Sequence, residues 1–326
     1  MPEQVLNDIY RIPVPLPGNP LKELNAYLIK GRERDLLIDT GFRQPECRAA
    51  LFAALDELKV HREDTDVLLT HLHSDHSGLA PEVIGEDGAI YISGDELSWL
   101  VPGEERDRLW GNSDLRFRQE GFPPDLLGQL QFDNPARSLA PGESDAYLPL
   151  WDGAVIEAGG YKLRCLLMPG HTPGQMCFYL EEQGAMFTGD HILFDITPNI
   201  TAWSGVEDSL GDYLKSLDAI RAYDVRRALP GHRGGGDLRA RVDALKDHHR
   251  ARLDEAHRLV RENPGKTAYE LAGLMTWQIR ARSWADFPLT QKWFAVGECM
   301  AHLDYLRVRD LIRREDDGGV RRYFAN

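Results

Sequence analysis

The sequence predicts an α/β protein, and three features carry that prediction. Short apolar strands alternate with helix-period segments over the first two thirds of the chain. Histidines and acids gather where those strands end, and a charge-rich helical tail beyond Asp237 breaks the alternation. With 326 residues, 42% apolar and 28% charged, the chain can bury a sizeable core and accommodate one large domain plus a small one.

LNAYLI and DLLIDTG read as two strands around a turn at Lys30-Gly31-Arg32, together spanning 24–40. Residues 45–59 place Leu51, Leu55 and Leu58 near one helical face. VLLT, 67–70, is a short apolar strand running straight into THLHSDHSG, and AIYIS, 89–93, is a strand before a helix start. Residues 101–150 hold six prolines and five glycines with scattered aromatics, which predicts a loop-and-short-helix insertion. Strands resume at 154–156, 162–167, 177–180 and 185–188, followed by a helix over 210–223 and a strand over 225–229 ending in Pro230-Gly231-His232. The tail reads as a long helix over 237–262 stopped by Asn263-Pro264-Gly265, and a short helix capped by Thr267. A helix over 290–314, a turn at 316–319 and a final strand VRRYFA complete a winged-helix-like pattern.

No run approaches the roughly 18 apolar residues of a membrane span. The opening MPEQVLNDIY has no basic region followed by an apolar stretch, so a cytoplasmic protein is expected. Cys47, Cys165, Cys177 and Cys299 form no CxxC pair and read as free thiols. A net charge of −14 repels phosphate backbones and leans toward small-molecule substrates rather than nucleic acid.

The chemistry concentrates in three strand-end loops, THLHSDHSG, MPGHTPG and LPGH, joined by FTGD. They carry His71, His73, Asp75, His76, His171, His232 and Asp190, while small turn-forming neighbours allow close backbone approach. Imidazole nitrogens and carboxylate oxygens are ordinary donors to zinc. Asp39 in Asp39-Thr40-Gly41 is the best candidate to orient a histidine through its other ring nitrogen. His191, next to Asp190, is expected to support the site or face solvent rather than to catalyse. Trp110, Phe117 and Phe122 are candidates either for the substrate wall or for a satellite core, and Phe194, Ile196, Ile200 and Trp203 for lining the same cleft.

These residues resemble the metallo-β-lactamase superfamily, whose HxHxDH signature is matched by His71-Leu72-His73-Ser74-Asp75-His76. His171, Asp190 and His232 match its further ligands, Asp39-Thr40-Gly41 its second-strand motif, and the likeness runs over about 5–235. The resemblance implies a four-layer αβ/βα sandwich, with two mixed sheets facing each other, helices outside and metals at one open edge. It implies one ion held by His71, His73 and His171, a second by Asp75, His76 and His232, and Asp190 bridging. Two zinc ions are expected, manganese or iron being compatible with the same donors, and no organic cofactor. The catalytic domain is expected over 1–236, with 101–150 as a lid-like insertion, and the helical winged-helix-like domain over 237–326.

The function expected is hydrolysis of a small-molecule ester, thioester or lactone by a hydroxide bridging the two ions, as in glyoxalase II-like relatives. Asp75 is expected to lie beside that nucleophile and to pass a proton to the leaving group. The tail resembles that of the β-lactamase-like protein 2 group, some of which act on RNA, so a metal-dependent endoribonuclease or phosphodiesterase is the alternative. Such tails also serve as dimer contacts, which leaves a homodimer open; DNA-binding regulation by the tail is a weaker reading. A mononuclear iron dioxygenase type is a further reading, against which stand the seven donor groups. A flavodiiron role is disfavoured by His73, where that branch carries Glu, and periplasmic β-lactam hydrolysis by the expected location.

Overall fold

A computed structural model describes residues 1–278 and 281–326, with the side chains of 131–133 left aside. The inner strands of its two large sheets are buried on both faces, which the sequence shows as near-continuous apolar runs rather than strict alternation. Among the described residues, the first sheet has seven strands in sequence order, Glu3–Leu6, Ile9–Pro15, Glu23–Ile29, Asp35–Ile38, Thr65–Leu68, Ile90–Ser93 and Tyr147–Leu150. The first four pair antiparallel and the rest parallel. The second sheet orders its five strands Arg227–Pro230, Ala185–Gly189, Met176–Leu180, Tyr161–Leu167 and Val155–Ala158, with the first pair parallel.

Side-chain alternation divides each strand between two cores. Tyr27 and Ile29 meet Phe178, Leu180 and Phe187 between the sheets. Leu24, Ala26 and Leu28 point the other way, against Leu51 and Leu55 of the helix Pro45–Glu57. Cys177, Tyr179 and Met186 likewise face outward, under Tyr213 and Leu217 of the helix Ser209–Ile220 and Val242 and Leu245 of Leu238–Glu262. The result is the four-layer order helix, sheet, sheet, helix, as expected. All four cysteines are buried and free.

Beyond the sandwich, Leu238–Glu262, Ala268–Ala272 and Leu289–Val308 pack with a two-stranded hairpin, Ile312–Asp317 and Val320–Ala325. Thr267 and Glu270 form a reciprocal capping box on the short helix. The long helix serves both parts, because Leu238, Val242 and Leu245 cover the second sheet while Ala256, Leu259 and Val260 belong to the C-terminal core.

Two expectations need correction, and one open alternative is decided. The helix expected over 290–314 stops at Val308, Asp310 turns the chain at φ 55°, and Ile312–Asp317 is a strand. Its charged run RREDD gains from pairing across the hairpin, where Glu315 faces Arg322 and Asp316 faces Arg321. The insertion is more ordered than expected, with a 16-residue helix Glu104–Gln119 and a second helix Pro124–Asp133. Its last residues, Tyr147–Leu150, are the edge strand of the first sheet. Phe117 and Phe122 are buried in the C-terminal core, Phe117 stacked on Trp293 at 5.3 Å, and so form no substrate wall. The buried Glu120 ties the same helix end to the hairpin, accepting from the Tyr323 hydroxyl at 2.8 Å and Arg321 at 3.2 Å.

Candidate metal centre

Every loop of the candidate site leaves a strand at one edge of the sandwich. Thr65–Leu68 delivers 70–76, Tyr161–Leu167 delivers His171, Ala185–Gly189 delivers Asp190, and Arg227–Pro230 delivers His232. Gly231 permits a close approach, since a Cβ there would lie 2.7 Å from Asp190 Oδ1 and 2.8 Å from His76 Cε1. Gly170, at φ 136°, passes so near Tyr213 that a Cβ would fall 2.3 Å from its Cβ.

The seven side chains singled out in the sequence converge. His73 Nδ1 lies 3.0 Å from both His71 Nε2 and His171 Nε2. Ligands of a tetrahedral ion with bonds of about 2.1 Å sit about 3.4 Å apart, so this nitrogen triangle is near the required size. On the other side, Asp75 Oδ2 is 3.4 Å from His232 Nε2 and 3.9 Å from His76 Nε2. Asp190 stands between the groups, with Oδ1 3.5 Å from His76 Nε2 and Oδ2 3.5 Å from His232 Nε2 and 3.7 Å from His171 Nε2. The geometric groupings that can hold an ion are His71 with His73 and His171, His71 with His76 and Asp190, and Asp75 with His76 and His232.

The outward ring nitrogens are tied off by acceptors. His71 Nδ1 reaches Thr70 Oγ1 at 3.0 Å, His171 Nδ1 the Asn199 carbonyl at 2.8 Å, and His232 Nδ1 the Glu23 carbonyl at 2.7 Å. His76 Nδ1 reaches Asp39 Oδ2 at 2.7 Å, the role expected for Asp39. In the neutral ring, a proton held on Nδ1 leaves the Nε2 lone pair aimed inward on all four rings. Of the inward-facing atoms, His76 Nε2, His232 Nε2 and Asp190 Oδ1 are buried without a hydrogen-bond partner. Orphaned buried polar atoms facing one another are costly in a folded protein unless something binds between them. The donor set, five imidazoles and two carboxylates, therefore fits divalent cations.

Asp39 adopts a left-handed φ of 59°, a conformation that costs a non-glycine residue about 1–2 kcal/mol. Its carboxylate is held there by the Thr70 N–H at 2.9 Å and the Thr70 hydroxyl at 2.8 Å besides His76. Electrostatics polarise the two halves of the site. Burial, together with the neighbouring His171, pushes His73 down to about 3. Burial opposes charge on His76 too, but Asp39, Asp190 and Asp75 outweigh it and raise its pKa well above the usual histidine value. Burial likewise opposes ionisation of Asp75, yet His76 and His232 hold it down at about 2.

Other expected residues separate cleanly. Trp203 lies beside the site, its ring 5.9 Å from His73 and its Nε1 donating to the His171 carbonyl at 3.0 Å. Trp99 stands edge-on to both Trp203 and Trp110, which places Trp110 behind Trp99 as seen from Trp203. Ile200 is core beneath the second sheet, and Phe194 packs at the rim of that cluster. Ile196 is half-buried, and its carbonyl accepts from Arg241 at 2.7 Å. His191 is buried edge-on to Tyr213, and desolvation lowers its pKa to about 3; it neither faces solvent nor joins the ligand groups.

The sequence does not single out Glu96. Fully buried, it accepts the Gly174 N–H at 3.0 Å and so braces the loop that carries His171. Burial pushes its pKa up to about 7. The Ser74 hydroxyl donates to the Pro135 carbonyl at 2.9 Å, so the insertion touches the His73–Asp75 loop directly. No helix among the described residues is long and apolar enough to cross a membrane.

Comparison with known proteins agrees with this architecture. A model of the metallo-beta-lactamase superfamily matches residues 22–232, and one of the metallo-beta-lactamase-like C-terminal domain matches 285–326. A metallo-beta-lactamase family protein of Thermus thermophilus is 33% identical, with a TM-score of 0.82 over 99% of this chain and 100% of its own. A beta-lactamase domain protein of Burkholderia ambifaria, 23% identical, shares the fold at a TM-score of 0.80 over 100% and 95% of the two chains. Among curated relatives, an atrochrysone carboxyl ACP thioesterase of Emericella nidulans is 29% identical over 71% of this chain and 57% of its own. The lactamase-like protein adaB of Aspergillus niger is 30% identical over 77% and 63%. The chain thus spans less than two thirds of the length of these curated relatives. The match over 22–232, with the site assembled on the strand ends it covers, makes this chain a member of the metallo-β-lactamase superfamily.

Proposed function

We propose that His71, His73 and His171 hold one divalent ion, that Asp75, His76 and His232 hold a second, and that Asp190 bridges them in a thioester or ester hydrolase. The observation that carries this reading is the position of Asp190, whose two oxygens contact histidines of both groups. Zinc suits the donors best. Two such ions would lower the pKa of a water held between them and polarise the acyl oxygen of the substrate.

The protein's own groups do the rest. Asp75 and Asp190 offset the repulsion between two cations, and both stay ionised because histidines hold their pKa values down. Asp75, with Oδ2 at the His232 side, is the group placed to hold a water by hydrogen bond and pass its proton onward. Trp203 supplies an apolar wall beside His73, and the insertion, anchored at Ser74, serves as a cover over that loop. Thioesters are favoured among acyl substrates because curated relatives bear the name atrochrysone carboxyl ACP thioesterase. The net charge of −14 disfavours the ribonuclease alternative.

A substrate panel tests the reading. Small-acyl thioesters and esters should release thiol or alcohol in a chelator-sensitive reaction that Asp190→Ala abolishes and that depends little on salt. Inactivity on every acyl substrate, with cleavage of single-stranded RNA that falls steeply as salt rises, would overturn it.

A further inference from the structure

We propose that the C-terminal helix Leu289–Val308 positions a metal ligand: Glu298 fixes segment 199–203, from which the Asn199 carbonyl orients His171. This deepens the two-ion reading above and rests on it. The segment has two working faces. Toward the site, the Asn199 carbonyl accepts from His171 Nδ1 at 2.8 Å, and Trp203 Nε1 donates to the His171 carbonyl at 3.0 Å. His171 is thus held at both its ring and its backbone by one short segment.

Toward the helix, Asn199 Nδ2 donates to Glu298 Oε2 at 3.3 Å, and the Ala202 N–H donates to the Gly297 carbonyl at 3.2 Å. Gly297 lets the two backbones meet, because a Cβ there would lie 2.2 Å from Thr201 Oγ1. Glu298 is itself braced, its Oε1 accepting from Arg252 Nε at 3.3 Å, and Arg252 also donates to the Thr276 carbonyl at 2.8 Å. A continuous set of hydrogen bonds therefore runs from the C-terminal helices to the imidazole. The partner of the outward ring nitrogen sets tautomer and ring plane, and losing such partners typically weakens metal binding by about 10–100-fold. Glu298 acts one residue further out, so the lower end of that range applies.

The test uses full-length protein and competition against a chromophoric chelator, with the visible spectrum of the cobalt-loaded form reporting the three-histidine site. Asn199→Ala and Glu298→Ala should each weaken the His71/His73/His171 site about 10-fold and shift its cobalt bands. The Asp75/His76/His232 site should stay within about twofold of wild type. The double variant N199D/E298Q, which exchanges donor and acceptor while leaving an acceptor for Arg252, should restore both affinity and spectrum. Unchanged affinity and spectrum in both single variants, or equal weakening of both sites, would overturn the proposal. A wild-type protein that takes up no metal would instead remove the two-ion reading itself, a result visible before any variant is made.

Discussion

Replacing Asp39 by Asn isolates what one outer carboxylate contributes. In the native site its Oδ2 accepts from both the Thr70 hydroxyl and His76 Nδ1, while Oδ1 accepts from the Thr70 N–H. An amide can keep the Thr70 N–H bond but must then present NH2 where Oδ2 stood, toward a ring nitrogen that is itself a donor. To escape that clash, His76 moves its proton to Nε2, the atom that faces Asp75 and Asp190. A protonated Nε2 cannot bind a cation. The expected cost is a loss of affinity of about 10–100-fold at the Asp75/His76/His232 site, or about 1.4–2.7 kcal/mol. The His71/His73/His171 site should change less, because His71 Nδ1 retains Thr70 as its partner. Two-site competition with a chromophoric chelator, combined with thermal unfolding of the apo-protein, separates affinity from stability. Wild-type affinity for the second equivalent in Asp39→Asn would refute the reasoning, for it would mean that His76 needs no outer acceptor.

Other perturbations reach different parts of the account. Gly231→Ala would push a methyl to 2.7 Å from Asp190 Oδ1, so it should abolish tight binding of at least one ion in a metal titration while leaving secondary structure by circular dichroism intact. Phe117→Ala should destabilise the protein by about 3–5 kcal/mol in denaturant titration yet leave KM for acyl substrates unchanged, since the ring packs on Trp293 and not on substrate. Burial lowers His302 to about 3 in the fold, against 6.5 for an ordinary histidine, so its neutral form favours folding at high pH and the benefit fades as pH falls below 6.5. At pH 5 that loss is about 2 kcal/mol, and His302→Gln should lose that much less stability than wild type between pH 7.5 and pH 5.

The site was legible because its ligands sit in short loops whose residue types survive as letters: HLHSDH, PGH, TGD and LPGH. What holds those ligands was largely invisible. The acceptors for His171 and His232 are the backbone carbonyls of Asn199 and Glu23, and a carbonyl leaves no mark in residue type. Glu96 reads as an ordinary acid of a helix start, and only the folded chain shows it fully buried with the Gly174 N–H on its carboxylate. Strand 9–15 is hard to read from sequence because prolines interrupt its alternation, although Ile12 and Val14 are fully buried. Phe117 and Phe122 were ambiguous for a related reason. An aromatic stripe says that a face is buried, not what buries it, and here the partner lies far downstream at Trp293.

Anomalous scattering at the zinc edge from crystals of metal-loaded protein tests the central claim most directly. The account calls for two peaks, one enclosed by His71, His73 and His171 and the other by Asp75, His76 and His232, with Asp190 reaching both. A single peak, or ions bound elsewhere with these side chains left apart, would contradict it.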